Sequence, residues 1–261
     1  MINKINKLKN QHMSIKLSSI PTGAPESANK KKIETMTAEI VTKIGELQHK
    51  LYAEGKQSLL VILQGMDASG KDGTVKTVFA DCNPSGIDAY AFKKPTEEEF
   101  AHDFLWRVHK VAPIKGNIMI FNRSHYEDIL IQRVHKWITE ERVEKRMAAI
   151  NAFEELIEFD NGTKVLKFYM HISKERQQEK LQERIDDPTK NWKHNQSDWD
   201  ENDHWEEYMK CYEYAINNSS ISWHIAPCDK RYYRNYFIAT KVLETLEAMN
   251  PELPLLDKSD E

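Results

Sequence analysis

Gly65-Met66-Asp67-Ala68-Ser69-Gly70-Lys71-Asp72-Gly73 has the G-x-x-x-x-G-K spacing of a Walker A loop, between an apolar run and a helical stretch. In such a loop successive backbone N–H groups form a concavity for anions, and the N-terminus of the following helix adds about half a positive charge. Lys71 supplies a cation for phosphate oxygens, and Lys76 lies one turn further along. The bland alternative is a glycine turn with a surface lysine, which the strand and helix on either side argue against. Asp72 stands where most such loops carry a Ser or Thr that ligates Mg²⁺. The metal then needs another oxygen, and Asp67, inside the loop, is the candidate. A carboxylate in a phosphate cradle repels its ligand unless a cation bridges the two.

A second constellation follows the third apolar run: Phe121-Asn122-Arg123-Ser124-His125-Tyr126-Glu127-Asp128. Arg123 can grip a phosphate bidentately or serve as a structural ion pair. Ser124 and Glu127 have the S-x-x-E spacing of a capping box, although Glu127 and Asp128 can equally reach an acceptor. His125 is expected to be a packing or hydrogen-bonding residue, since no second histidine lies at metal-ligand spacing. Lys76, Lys93, Lys94, Arg107, Lys110, Arg123, Arg133, Arg184, Lys190 and Lys193 recur where the chain should return to one face. Singly each is ordinary surface; together they would call for a polyanionic substrate.

These residues need a scaffold. Leu59–Leu63 is an all-apolar run expected of a strand buried on both faces. Further strands are expected at Ile87–Phe92, Asn117–Phe121, Lys164–Ile172 and Ser222–Ala226. Helical stretches are expected near 97–110, 125–136, 141–159, 174–186, 201–217 and 230–249, after an amphipathic helix from Ile33 to Leu51. Strands alternating with long crossovers imply a parallel sheet flanked by helices, a three-layer α/β fold in one domain over residues 33–250. The polar segment 184–200 breaks the rhythm and is a natural lid. Trp192 and Trp199 within it could cover a base, although tryptophans are more often packing residues. Residues 1–32 hold seven lysines and one acid, Glu26, and read as a basic, flexible arm, the alternative being an arm that covers a partner subunit or helps hold a polyanion; 251–261 read as a tail.

The 261 residues are 40% hydrophobic and 30% charged, with a net charge of −4. That composition fits a globular chain and argues against a generic nucleic-acid coat. No apolar run approaches the roughly 18 residues a membrane span needs. Three cysteines (Cys82, Cys211, Cys228) without metal spacing suit free thiols in a reducing cytoplasm.

Leu63–Thr74, Asn83–Gly86, Phe104–Arg107, Phe121–Tyr126 and Asp187–Lys193 together resemble the polyphosphate kinase 2 family, over about Ile33 to Met249. The resemblance implies a P-loop kinase fold like that of thymidylate kinase, with a helical lid. It also implies Mg²⁺-dependent transfer of the terminal phosphoryl of inorganic polyphosphate to a nucleotide, AMP or ADP, with GMP and GDP as further acceptor candidates. By position, Asp67 matches the family's metal-holding aspartate, Lys71 and Arg123 its phosphoryl ligands, and Arg184 and Lys193 its lid. The phosphate-binding set is then Gly65, Ala68, Ser69, Gly70, Lys71, Asp72, Gly73, Lys76, Arg123, Arg184 and Lys193; the nucleotide-binding set is Asn122, Glu127, Asp128 and Arg133. Members restricted to diphosphates commonly carry Asp where this chain has Asn122, so Asn122 with Glu127 looks like the subgroup using both mono- and diphosphates. The family also implies a homo-oligomer, a dimer or tetramer. Two alternatives are an ATP-dependent nucleoside monophosphate kinase and a non-catalytic phosphate-binding module.

Overall fold

The structure, a computed structural model, describes residues 14–256. Five strands form one parallel sheet: β1 (Ser58–Gln64), β2 (Ile87–Ala91), β3 (Ile118–Asn122), β4 (Thr163–His171) and β5 (Trp223–Pro227), in the order β2-β3-β1-β4-β5. Each lies within one residue, at either end, of its expected position. All seven residues of β1 are buried, as a central parallel strand covered on both faces requires. The helices are α1 (Lys30–Glu54), α2 (Lys71–Val78), α3 (Glu97–Ala101), α4 (Trp106–His109), α5 (Ile131–Val134), α6 (Glu140–Asn161), α7 (Lys174–Asp186), α8 (Gln196–Asp203), α9 (Trp205–Asn218) and α10 (Arg231–Met249). Helices α1 and α10 pack together, with α2 against α10, while α6 packs on β4. Two residues apart on one face of β4, Lys167 meets Glu154 of α6 and Tyr169 meets Tyr212 of α9.

Three expected helices are interrupted. The stretch 97–110 is two short helices. The stretch 125–136 is a 3-10 turn, His125–Ile129, followed by α5, with Leu130 (φ −99°, ψ −82°) breaking the helical path. The last, 201–217, divides at His204 between α8 and α9.

The expected flexible arm is ordered over its described part, because it carries apolar anchors among its lysines. Leu17 is 1% exposed, and its N–H donates to Glu213 Oε1 at 2.7 Å. Ile15 N donates to Asn217 Oδ1 at 2.8 Å, and Thr22 Oγ1 to Asp229 Oδ2 at 2.6 Å. Residues 14–29 thus form a strap across α9 and the end of β5; residues 1–13 lie outside the described range. At the other end Pro251 is buried and Glu252–Leu256 run without regular structure. No helix among the described residues is long and apolar enough to cross a membrane.

Candidate functional site

Parallel register sets the site. Leu63 of β1 lies opposite Asn122 of β3, so both chains leave the sheet at the same level, at the carboxyl edge where α/β folds bind ligands. Arg123 N then donates to Leu63 O at 3.0 Å, tying the second constellation to the start of the loop. Gly65 is required by close approach: a Cβ there would lie 2.8 Å from Met170 O on β4. Gly70 has φ +97°, and a Cβ would meet Arg234 Nη1 at 1.8 Å. Ala68 (φ 62°) and Arg123 (φ 61°) adopt left-handed backbone without being glycine, each costing roughly 1–2 kcal/mol that the surrounding structure must offset.

Lys71 is 7% exposed and folds back over the loop, donating to Gly65 O at 2.8 Å and Met66 O at 3.1 Å. Burial lowers its ammonium below the ordinary value, against the pull of Asp67. Asp67 Oδ1 accepts from Arg123 Nη2. Burial works to raise the Asp67 carboxyl, but Arg123 and Lys71 outweigh it and hold it below its ordinary value. Arg123 is likewise opposed by burial, yet Glu127 and Asp67 keep it cationic. The Ser69 hydroxyl is buried with no hydrogen-bond partner among the described residues, a free donor inside the Walker A-spaced loop.

A cleft of about 580 Å³ opens over the loop. Of the expected residues, Asp67, Ala68, Gly70, Lys71, Asp72, Gly73, Asn122, Arg123, Arg184 and Lys193 line it. Eight cations face it against three carboxylates, in a chain whose net charge is −4. The lid closes one side: Lys193 Nζ meets Asp72 Oδ2 at 3.0 Å, and Arg184 Nη1 meets Asp198 Oδ2 at 2.5 Å. Gly65 and Glu127 line a smaller adjoining cavity of about 180 Å³, shared with Asp67 and Arg123.

Glu127 does not form the capping box that its spacing allowed. Ser124 Oγ accepts from Tyr126 N and donates to Gln64 Oε1 at 3.0 Å, while Gln64 Nε2 donates to Glu127 Oε1 at 2.6 Å. Gln64, fully buried at the end of β1, thereby aims Glu127 into the site. Asp128 is turned away: it is 3% exposed and ion-paired with Arg107 at 3.1 Å, with Gln132 donating to its other oxygen. Arg133 is also apart from the cleft, bonded through Nε to Glu140 at 2.9 Å and lying over the Tyr214 ring. Arg133 lies beyond the break at Leu130, whereas Asp128 sits in the 3-10 turn before it, where Arg107 and Gln132 hold it. Lys76 is exposed in the last turn of α2 and does not line the cleft. His125 is fully buried against Glu154, a packing role as expected. Trp192 is 78% exposed, with the Lys193 ammonium 4.9 Å from its ring centroid.

Several lining residues were not anticipated. Lys180 lies one turn before Arg184 on α7, and Arg231 opens α10. Arg234 Nη1 donates to Ser69 O at 3.2 Å, bracing the loop from behind. Helical i, i+4 spacing from Arg184, and two arginines opening the helix after the last strand, were the available signals.

For a divalent cation such as Mg²⁺ the donor set is adequate, because that ion takes one or two protein carboxylates and completes its shell with water and phosphate oxygens. Asp67 is the carboxylate the loop would offer to such an ion; no cluster of three or more His, Cys, Asp or Glu able to hold a metal occurs among the described residues.

A family model described as "Polyphosphate kinase 2 (PPK2)" matches residues 27–254. The chain is 42% identical over 243 residues to the AMP/ADP-polyphosphate phosphotransferase of Meiothermus ruber, covering 92% of this chain and 90% of that one. It is 35% identical over 229 residues to the ADP-polyphosphate phosphotransferase of Rhodopseudomonas palustris, covering 82% and 79%. The crystal structure of polyphosphate kinase 2 from Arthrobacter aurescens TC1 superposes with a TM-score of 0.91 at 36% identity, over 97% of this chain and 92% of that one. Loop, lid, sheet order and these likenesses agree: the chain belongs to the polyphosphate kinase 2 family.

Proposed function

We propose that this chain is a polyphosphate-dependent nucleotide phosphotransferase, moving the terminal phosphoryl of inorganic polyphosphate onto AMP and ADP to give ADP and ATP. The observation that carries the reading is the gathering of eight cations in one cleft over a phosphate loop, in a net-acidic chain. Such a field suits two polyanions brought together end to end. The printed name of the Meiothermus ruber relative, with both AMP and ADP in it, supports the dual acceptor.

The chemistry needs little covalent help. The attacking oxygen of AMP or ADP is already anionic near neutral pH, so no strong base is required; a P–O bond forms to the transferred phosphorus as the bond to the shortened polyphosphate breaks. Positioning and charge neutralisation dominate such transfers. In this reading the loop N–H groups and Lys71 bind the transferred phosphoryl, and Arg123 bridges its oxygens to the acceptor. Arg184 and Lys193 exchange their carboxylate partners for donor phosphates. Asn122 and Glu127 face the acceptor. Mg²⁺, held by Asp67, would neutralise phosphate charge as the transfer proceeds. The lid excludes water, which would otherwise turn transfer into hydrolysis.

The test is a coupled luminescence assay with long-chain polyphosphate, Mg²⁺, and AMP or ADP in separate reactions without added ATP, using Lys71→Ala as the contamination control. ATP from both acceptors is expected. ATP from ADP alone would remove the dual acceptor. Transfer that occurs only with a nucleoside triphosphate as donor would overturn the reading in favour of an ordinary nucleotide kinase.

A further inference from the structure

Asp72 occupies the second position of α2, where its carboxylate joins two other parts of the site. Oδ1 accepts from Asn122 Nδ2 at 2.7 Å, and Oδ2 meets Lys193 Nζ of the lid at 3.0 Å. A carboxylate can only accept hydrogen bonds, so the Asn122 amide must present its NH₂ to Asp72 and turn its carbonyl oxygen away. The carboxamide orientation is therefore dictated by residue 72, not by Asn122 itself. The converse also holds. An aspartate at 122 would bring two carboxylate oxygens to hydrogen-bond distance, and like charges that close force one group to protonate, turn or capture a cation.

Position 122 is well placed to discriminate acceptors. AMP and ADP differ by one phosphoryl group. If both bring their terminal phosphate to Arg123, the nucleoside of one lies a phosphate unit further out, and the wall beside Arg123 meets a different part of each. Asn122 is that neighbour, at the end of β3 and lining the cleft. A neutral amide there tolerates either group, whereas an unpaired charge does not.

We propose that Asp72 is a specificity-determining positioning residue, which orients the Asn122 carboxamide and seats the lid through Lys193, so that residues 72 and 122 act as one matched pair carrying a single negative charge. The inference rests on the phosphotransferase reading above.

The test compares wild type, Asp72→Asn, Asp72→Ser, Asn122→Asp and the exchange variant Asp72→Asn/Asn122→Asp. Urea midpoints confirm folding, and kcat/KM is measured for AMP and ADP at fixed polyphosphate, together with KM for polyphosphate. The AMP:ADP ratio is expected to move at least about fivefold in Asp72→Ser and in Asn122→Asp. The exchange variant, which restores one amide facing one carboxylate, should perform better than the product of its two single effects by a similar factor. Asp72→Asn removes an acid from a polyanion site, so KM for polyphosphate should hold or fall; general damage to the loop would raise it. A ratio staying within about twofold of wild type in both Asp72 variants, or single effects that simply multiply in the exchange variant, would overturn the proposal while leaving the phosphotransferase reading intact. A wild-type protein that transfers nothing from polyphosphate would overturn both.

Discussion

Beneath the turn that carries Arg123 lies a fully buried ionic group, and Lys167→Met tests what it contributes. Lys167 and Glu154 are both 0% exposed, with Nζ and Oε2 2.6 Å apart. Lys167 also donates to Tyr126 OH at 2.8 Å, and His125 Nε2 lies 3.3 Å from Glu154 Oε1. The residues held are thus the two that follow Ser124, directly after Arg123. Methionine matches the stem of lysine but strands the Glu154 carboxylate in the core, and removing one partner of a buried pair costs about 3–5 kcal/mol. That corresponds to a loss of roughly two to four decades in the folded-to-unfolded ratio. Burial works to raise the Glu154 carboxyl, but its bond with His125 and the charge of Lys167 hold it below its ordinary value of 4.5. An acid lowered in this way contributes stability that is present above its ordinary range and lost as pH falls through its folded value. In Lys167→Met the same carboxyl is raised instead, so the deficit should be full at pH 7 and shrink towards pH 4.5 as Glu154 takes a proton. Urea unfolding of wild type, Lys167→Met and Lys167→Met/Glu154→Gln between pH 4.5 and 8 is the assay. The double variant should recover much of the loss, because no buried charge is left alone. A deficit below about 1 kcal/mol at pH 7, or one that does not vary with pH, would refute a charged buried pair.

Lys71→Met should abolish phosphoryl transfer while leaving the urea midpoint near that of wild type, read by luminescence and denaturation on the same preparation. Gly70→Ala forces a methyl into Arg234 and strains a left-handed position; a loss of roughly 2–4 kcal/mol is expected, measured as a lowered urea midpoint. Leu17→Ala should cost about 2–5 kcal/mol by thermal or urea unfolding, as for other buried leucines, whereas a freely moving arm would make it silent.

The phosphate loop and five strands were legible because their signals are local. Leu59–Leu63 is apolar throughout, and the glycines and Lys71 follow at Walker A spacing between that strand and a helix, the context that gives the spacing its meaning. What was less legible depended on distant partners. Nothing near Glu127 says that Gln64, some sixty residues earlier, will take the carboxylate away from the Ser124 cap and point it at the site. Arg133 follows a conformational break at Leu130, where the residue types permit a helix but the backbone leaves it, and Asp128, in the 3-10 turn before that break, is taken by Arg107. Arg231 and Arg234 bore the same mark as Arg123, basic residues just after a strand, yet they lie at the far end of the chain from the loop they serve. In the arm, lysine-rich composition masked Leu17, a single apolar anchor that reverses the behaviour composition suggests.

The strap at the start of the chain also bears on how the protein is assembled in time. Its bonds from Ile15 to Asn217 and from Leu17 to Glu213 span about two hundred residues, among the longest-range hydrogen bonds in the fold. They cannot form during synthesis until α9 has emerged, and closing so large a loop is rewarded only after the segments between its ends are in place. The strap is thus expected to close last, as a clasp on a sheet already built. Thr22, at its end, bonds Asp229, whose other oxygen accepts from Ser173 N at the head of α7, the helix that leads into the lid. Weakening the clasp should therefore hasten unfolding with little change in the rate of folding, and should loosen the root of the lid from the opposite end of the chain.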